Sequence, residues 1–283
     1  MDVRYLHENR VSTALLMLFL TAALFIRSFV QIRMVGSGYD PAVAKHVSAL
    51  VGFAVLSFLM WPVLTRVWSI VRALFRQPAS WLRMLLAAFA LGIAVWLCQM
   101  LAMLAYNAYE WIGKGAYSQP TWPEYHFACG NTMILFLAIP VMAIATPVVE
   151  EIIHRGLILH SLLPRGKFLA VTVSAGAFAI FHRPETIPLA FIFGLIAALQ
   201  MLHYQTLWAV VITHGTVNLM TVISNTCIGG TWQPGKVTWG PTSPTLYIVL
   251  ASGVCAVVIV WLAVRCKGGA ARSRTAPPSF QLD

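Results

Sequence analysis

Charge is what this chain lacks most. Of its 283 residues 10% are charged, with 19 Lys and Arg against 9 Asp and Glu, while 59% are hydrophobic. A soluble domain carries charge on about a quarter of its residues. Too few polar side chains exist here to cover a surface in water. Lipid suits such a chain, and a helix needs about 20 apolar residues to cross it. The net charge of +10 is spread between apolar stretches and not gathered into one basic patch, which argues against a nucleic-acid partner. Cysteine is scarce as well. The five cysteines form no metal-binding pattern, and Cys98 and Cys255 fall within apolar stretches. Cys129 and Cys227 fall in loops expected on the outer face, where two readings stand: a disulfide, or two unrelated small apolar residues. The first apolar run follows a short basic start (Arg4, Arg10) without a small-residue cleavage site, so it reads as a retained span.

What is present is a series of long apolar runs. They predict an all-α polytopic bundle of about eight spans, at 12–32, 46–66, 84–106, 132–152, 168–182, 187–203, 207–224 and 245–264. The spans at 168–182 and 187–203 are short. Three regions follow: N-terminal transmembrane helices (1–130), a core (131–225), and an outer loop, last helix and basic tail (226–283). Trp111, Trp122, Trp232 and Trp239 sit in the longest connections and suit an interfacial belt. With the N-terminus inside, the inner face collects Arg4, Arg10, Arg66, Arg72, Arg76, Arg83, Arg165, Lys167, Arg265, Lys267, Arg272 and Arg274. The outer face keeps Arg33, Lys45, Lys114, Arg183 and Lys236. That asymmetry predicts an integral membrane protein with both termini cytoplasmic, and the short loops and basic inner face suit a bacterial cytoplasmic membrane, although the same features could serve in an internal eukaryotic membrane.

Ionisable groups within spans are costly, so they face a cavity or a partner. They gather at three places. In ATPVVEEIIHRGLIL, Glu151 and Arg155 are helical i and i+4 neighbours able to pair, while Glu150 points about 100° away and stays free to exchange a proton. In AFAIFHRPE, Phe178 lies one turn before His182. In VVITHGTVNLM, His214 and Asn218 share a helix face, where imidazole and carboxamide can donate hydrogen bonds to a developing oxyanion. Singly, each has a bland explanation: a packing histidine, an interfacial ion pair, a helix-joining asparagine. His7, His46, His126, His154, His160 and His203 are assigned to packing. The conjunction of proton-transfer and oxyanion groups on three apolar helices within about 70 residues is what packing does not require.

The three motifs, EEIIHR (150–155), FAIFH (178–182) and HGTVN (214–218), resemble in order and spacing the CAAX protease and bacteriocin-processing family of intramembrane proteases, also called the Abi family, which includes type II CAAX prenyl endopeptidases. The likeness covers about residues 130–225. It implies an endopeptidase cutting a membrane protein or peptide substrate, lipidated or not, in or at the bilayer. It also implies that Glu150 and His182 activate water, that His214 and Asn218 stabilise the oxyanion, and that Arg155 with Glu151 holds the first motif's helix. The family is described both as metal-dependent and as glutamic. A metal-free site is favoured; zinc, if present, would take Glu150, His182 and His214 from three helices, since no His-Glu-x-x-His occurs on one. The competing readings are a proton-coupled transporter and a non-catalytic scaffold or immunity protein of the same fold. One expectation sits awkwardly: the predicted spans put Glu150 near an inner helix end and His182 far along the next helix, at different depths.

Overall fold

A computed structural model describes residues 12–113, 126–127, 132–182 and 186–229, with side chains for 12–102, 134–182 and 186–224. The architecture is a bundle of antiparallel helices: α1 (Thr13–Gly36), α2 (Pro41–Leu74), α3 (Trp81–Gly113), α4 (132–165), α5 (Lys167–Ala179), α6 (Ile187–Tyr204) and α7 (Leu207–Cys227). Among the described residues the only extended pairing is a two-residue antiparallel bridge, His126–Phe127 with Ile228–Gly229. Among the described residues six helices are long and apolar enough to cross a membrane, α5 being the shorter apolar one. The expected eighth span, the basic tail, Cys129, the Cys227 side chain and the four belt tryptophans' side chains lie outside the described residues.

Local sequence explains the helix limits. Ser12 caps α1 through Leu15 N–H, and Asp40 caps α2 through Ala42 and Val43 N–H, ahead of Pro41 at the first helical position. Outward faces are apolar, as lipid contact requires: Phe25, Ile32, Phe58 and Phe168 are among the large exposed side chains. Packing inside is close. Gly92 of α3 lies where a Cβ would come within 2.6 Å of Thr216, and Gly194 of α6 where one would come within 2.8 Å of the Ala175 backbone. Buried polar ties hold α6 and α7 to α3, since Gln200 donates to Thr213 and Thr213 to the Ala88 carbonyl. At one end of the bundle the α2–α3 turn meets the α6–α7 turn: Arg76 donates to Gln205, Thr206 to the Arg76 carbonyl, and Trp208 to the Phe75 carbonyl.

The span expected at 132–152 is the main departure. The helix runs on through both glutamates to Arg165, and it is not uniformly α-helical. Residues Ile139–Ala145 and Ile152–Leu159 are π-helical. A proline bears on the first widened stretch. Thr146 N–H bonds the Val141 carbonyl, five residues back, so the next rung would join residue 147 to Met142. Residue 147 is proline and has no N–H, which leaves the Met142 carbonyl without a backbone donor. In the second stretch imidazoles meet backbone carbonyls directly, His154 Nδ1 at Glu150 O (2.8 Å) and His160 Nδ1 at Arg155 O (2.6 Å). A carbonyl only accepts, so each Nδ1 carries the proton.

The longer α4 also removes the depth conflict. α4 and α5 form a hairpin turning at Gly166, whose φ of +116° is one that side-chain-bearing residues rarely adopt. Glu150 precedes that glycine by sixteen residues and His182 follows it by sixteen. The two arms are in contact along their length, with Ser174 donating to the His154 carbonyl and His154 edge-on to Phe178. Both motif residues therefore come to the same level.

Candidate active site

The three motifs converge on one ring. Phe178, 2% exposed, has the Arg155 guanidinium carbon 4.6 Å from its centroid, His182 at 4.6 Å, His154 at 5.3 Å and His214 at 5.7 Å. A cation over an aromatic face and imidazole edges around it are attractive contacts that also fix orientation. Phe193 of α6 closes another side, 4.9 Å from His214 and 5.5 Å from Phe178.

The two glutamates part as their helix positions predict. Glu151 is fully buried: Arg155 Nη1 lies 3.1 Å from its Oε1 in hydrogen-bond alignment and 3.0 Å from its Oε2 as an ion-pair contact. Arg155, equally buried, uses Nη2 on the Gly194 carbonyl at 3.3 Å. That carbonyl is within reach because Gly194 has no side chain to hold α6 away from α5. A buried ion pair contributes little net stability because desolvation offsets the attraction. What this one does is hold a third group, for His214 Nδ1 meets Glu151 Oε1 at 2.7 Å. An ionised carboxylate accepts, so His214 carries its proton on Nδ1 and turns Nε2 the other way. That Nε2 is 3.8 Å from Glu150 Oε2, too long for a hydrogen bond. Glu150 keeps 28% of its side chain accessible, against none for Glu151.

His182 follows similar logic. Its Nδ1 donates to the Phe178 carbonyl at 3.0 Å, leaving an Nε2 lone pair when the ring is neutral. Asn218 sends Nδ2 to the Met142 carbonyl at 2.8 Å, the acceptor that Pro147 deprives of a backbone partner. A carboxamide has two N–H donors, so one remains for a ligand. Gly215 makes the contact possible: a Cβ there would come within 2.6 Å of the Ala143 carbonyl. Among the described residues no group of three or more His, Cys, Asp or Glu side chains gathers to hold a metal ion.

Sequence reasoning missed three features. The Glu151–His214 bond joins motifs 63 residues apart, and only tertiary packing reveals it. His154, assigned to packing, is 2% exposed, contacts Phe178 and leaves Nε2 without a hydrogen-bond partner. Its spacing of four from Glu150 was the available signal. Arg27 of α1 lies within electrostatic reach of Glu150. It was hidden as a single charge in a long apolar run.

Comparison with known proteins bears on the same segment. A family model described as type II CAAX prenyl endopeptidase Rce1-like matches residues 132–220, which include all three motifs. The resemblance read from the motifs to the CAAX protease family is borne out by that match. At the level of the family it indicates a protease, and the six helices among the described residues that are long and apolar enough to cross a membrane mark an integral membrane protein. No curated protein and no solved structure matches.

Proposed function

We propose that this chain, with its CAAX-endopeptidase match at 132–220, hydrolyses a peptide bond of a membrane-associated protein or peptide through a water activated by Glu150 and His182. The observation that carries the reading is the buried series Arg155–Glu151–His214, ending at an imidazole held in one tautomer beside the accessible Glu150. In the reaction, Glu150 takes a proton from water as the hydroxyl attacks the scissile carbonyl, and His182, with its Nε2 lone pair, shares the base role. His214 and the second N–H of Asn218 donate to the oxyanion that forms, once Nε2 of His214 is protonated. The proton on Glu150 then passes to the leaving amine.

We favour hydrolysis without a metal, with the accessible Glu150 as the base; the zinc alternative would take Glu150, His182 and Nε2 of His214. The substrate class is a CAAX-type protein terminus or a sorting or bacteriocin-type peptide, lipidated or not, reached from the bilayer. The basic inner loops support cytoplasmic termini in a bacterial cytoplasmic membrane.

The test uses purified protein in liposomes with a fluorogenic membrane-peptide library. Glu150→Ala and His182→Ala each lower kcat by about 10²–10⁴ while the proteins remain monodisperse, and a strong chelator leaves wild-type cleavage unchanged. Loss of cleavage in chelator with recovery on adding zinc would overturn the metal-free mechanism. Cleavage by both variants at the wild-type rate would overturn the residue roles.

A further inference from the structure

Arg27 is a basic residue well inside a helix and outside every motif. It is the fifteenth residue of the 24-residue α1, inside a span, where a guanidinium is costly unless it meets an anion or a wet cavity. The stem lies across α2 at Gly52, the position where a Cβ would come 3.1 Å from Arg27 Cβ and 3.5 Å from its Cδ. α1 itself packs against the π-helical stretch Ile152–Leu159 that follows the glutamates. The guanidinium is half-buried and within the field of Glu150, yet among the described residues it has no ion pair or hydrogen bond. Glu150 acts on it through space without occupying its donors. Five N–H groups in a planar fork call for acceptor oxygens, and a carboxylate matches that fork with two parallel bonds.

We propose that Arg27 is an anion-binding residue of the substrate site, receiving the C-terminal carboxylate of the bound peptide beside Glu150. The proposal rests on the reading that the site binds a peptide, and it adds the group that registers the peptide's end. The chain terminus is the carboxylate that every membrane-bound peptide carries, whereas acidic side chains are rare in apolar segments. A lipid phosphate offers similar oxygens, and the experiment separates the two.

The full-length protein is placed in nanodiscs of zwitterionic lipid. Binding is measured for a dansyl-labelled, leucine- and alanine-rich decapeptide with reduced backbone amides, ending in either a free acid or a carboxamide. The wild type binds the acid about tenfold to a hundredfold more tightly than the amide, the range expected for hydrogen bonds to a charged group. Arg27→Gln brings that ratio to about one while leaving amide binding unchanged, which shows an intact fold, and Arg27→Lys restores part of it. Equal binding of acid and amide by wild type, or no binding of either, overturns the proposal in favour of cavity water on the guanidinium. If the ratio is one and Arg27→Gln changes only retention of anionic lipid in discs that contain it, the occupant is a headgroup and the proposal also fails. The readout needs no cleavage. An uncut library with acid-selective binding would sink the endopeptidase reading and leave the anion site standing.

Discussion

Gly215→Ala is the smallest change that tests how the third motif is held. A Cβ at this position would lie 2.6 Å from the Ala143 carbonyl oxygen, and ordinary contact begins at 3.4 Å, so α7 and α4 must separate locally by about 0.8 Å. The obstructing atom is backbone oxygen in a π-helical turn, which has no rotamer with which to yield. One position away is His214, bonded to Glu151 at 2.7 Å, and three positions on is Asn218, bonded to Met142 at 2.8 Å. Adding 0.8 Å to either takes it to the limit of a hydrogen bond or beyond. Helix propensity gains about 1 kcal/mol from the substitution, while overpacking costs about 1–3 kcal/mol, so global stability changes little. Positioning suffers far more, since a displacement near 1 Å costs about 10² in rate. Gly176→Ala is the control, because nothing lies within 4 Å of a Cβ there and it sits on the α5 helix that carries Phe178. The assay is peptide cleavage in liposomes beside thermal unfolding in detergent. Gly215→Ala loses about a hundredfold in kcat with a small change in unfolding temperature, and Gly176→Ala loses nothing. Wild-type cleavage by Gly215→Ala, or equal losses in both variants, would refute the reasoning.

Other consequences concern the buried polar groups. Glu151→Gln leaves the Arg155 charge uncompensated at 0% exposure and destabilises the fold by about 3–5 kcal/mol in thermal denaturation. The double change Glu151→Leu with Arg155→Leu recovers much of that stability without recovering cleavage, and a double variant no more stable than Glu151→Gln would contradict the pairing. Asn218→Asp turns an acceptor toward the Met142 carbonyl, costing about 1–3 kcal/mol and, with the donor gone, about 10²–10³ in kcat. Retained kcat in that variant would remove Asn218 from the oxyanion site.

Spans and motifs were legible because lipid imposes a simple code on length and polarity. The length of α4 was not. Reading charge as the end of a span is sound when charges face water or headgroups, but Glu151, Arg155 and His214 neutralise one another inside the bundle. The helix can then continue to Arg165 through a stretch that looks interfacial. Pairing Glu151 with Arg155 required only a spacing of four, and the structure has it. Its second partner came from another helix, beyond any local pattern. The role of Asn218 divided in the same way: its helix face followed from spacing, whereas the attachment to Met142 depends on a proline 71 residues earlier in the chain. Arg27 escaped because a lone cation barely lowers the apolarity of a 24-residue helix.

The hairpin at Gly166 bears on how such an enzyme tolerates bilayers of different thickness. Helices respond to a thinner or thicker hydrocarbon layer by tilting or sinking. Because Glu150 and His182 are counted equally from a single turn, such an adjustment carries both along together, as two marks on a folded ruler. Their separation then depends on the packing of the two arms against each other around Phe178, and hardly at all on the lipid outside.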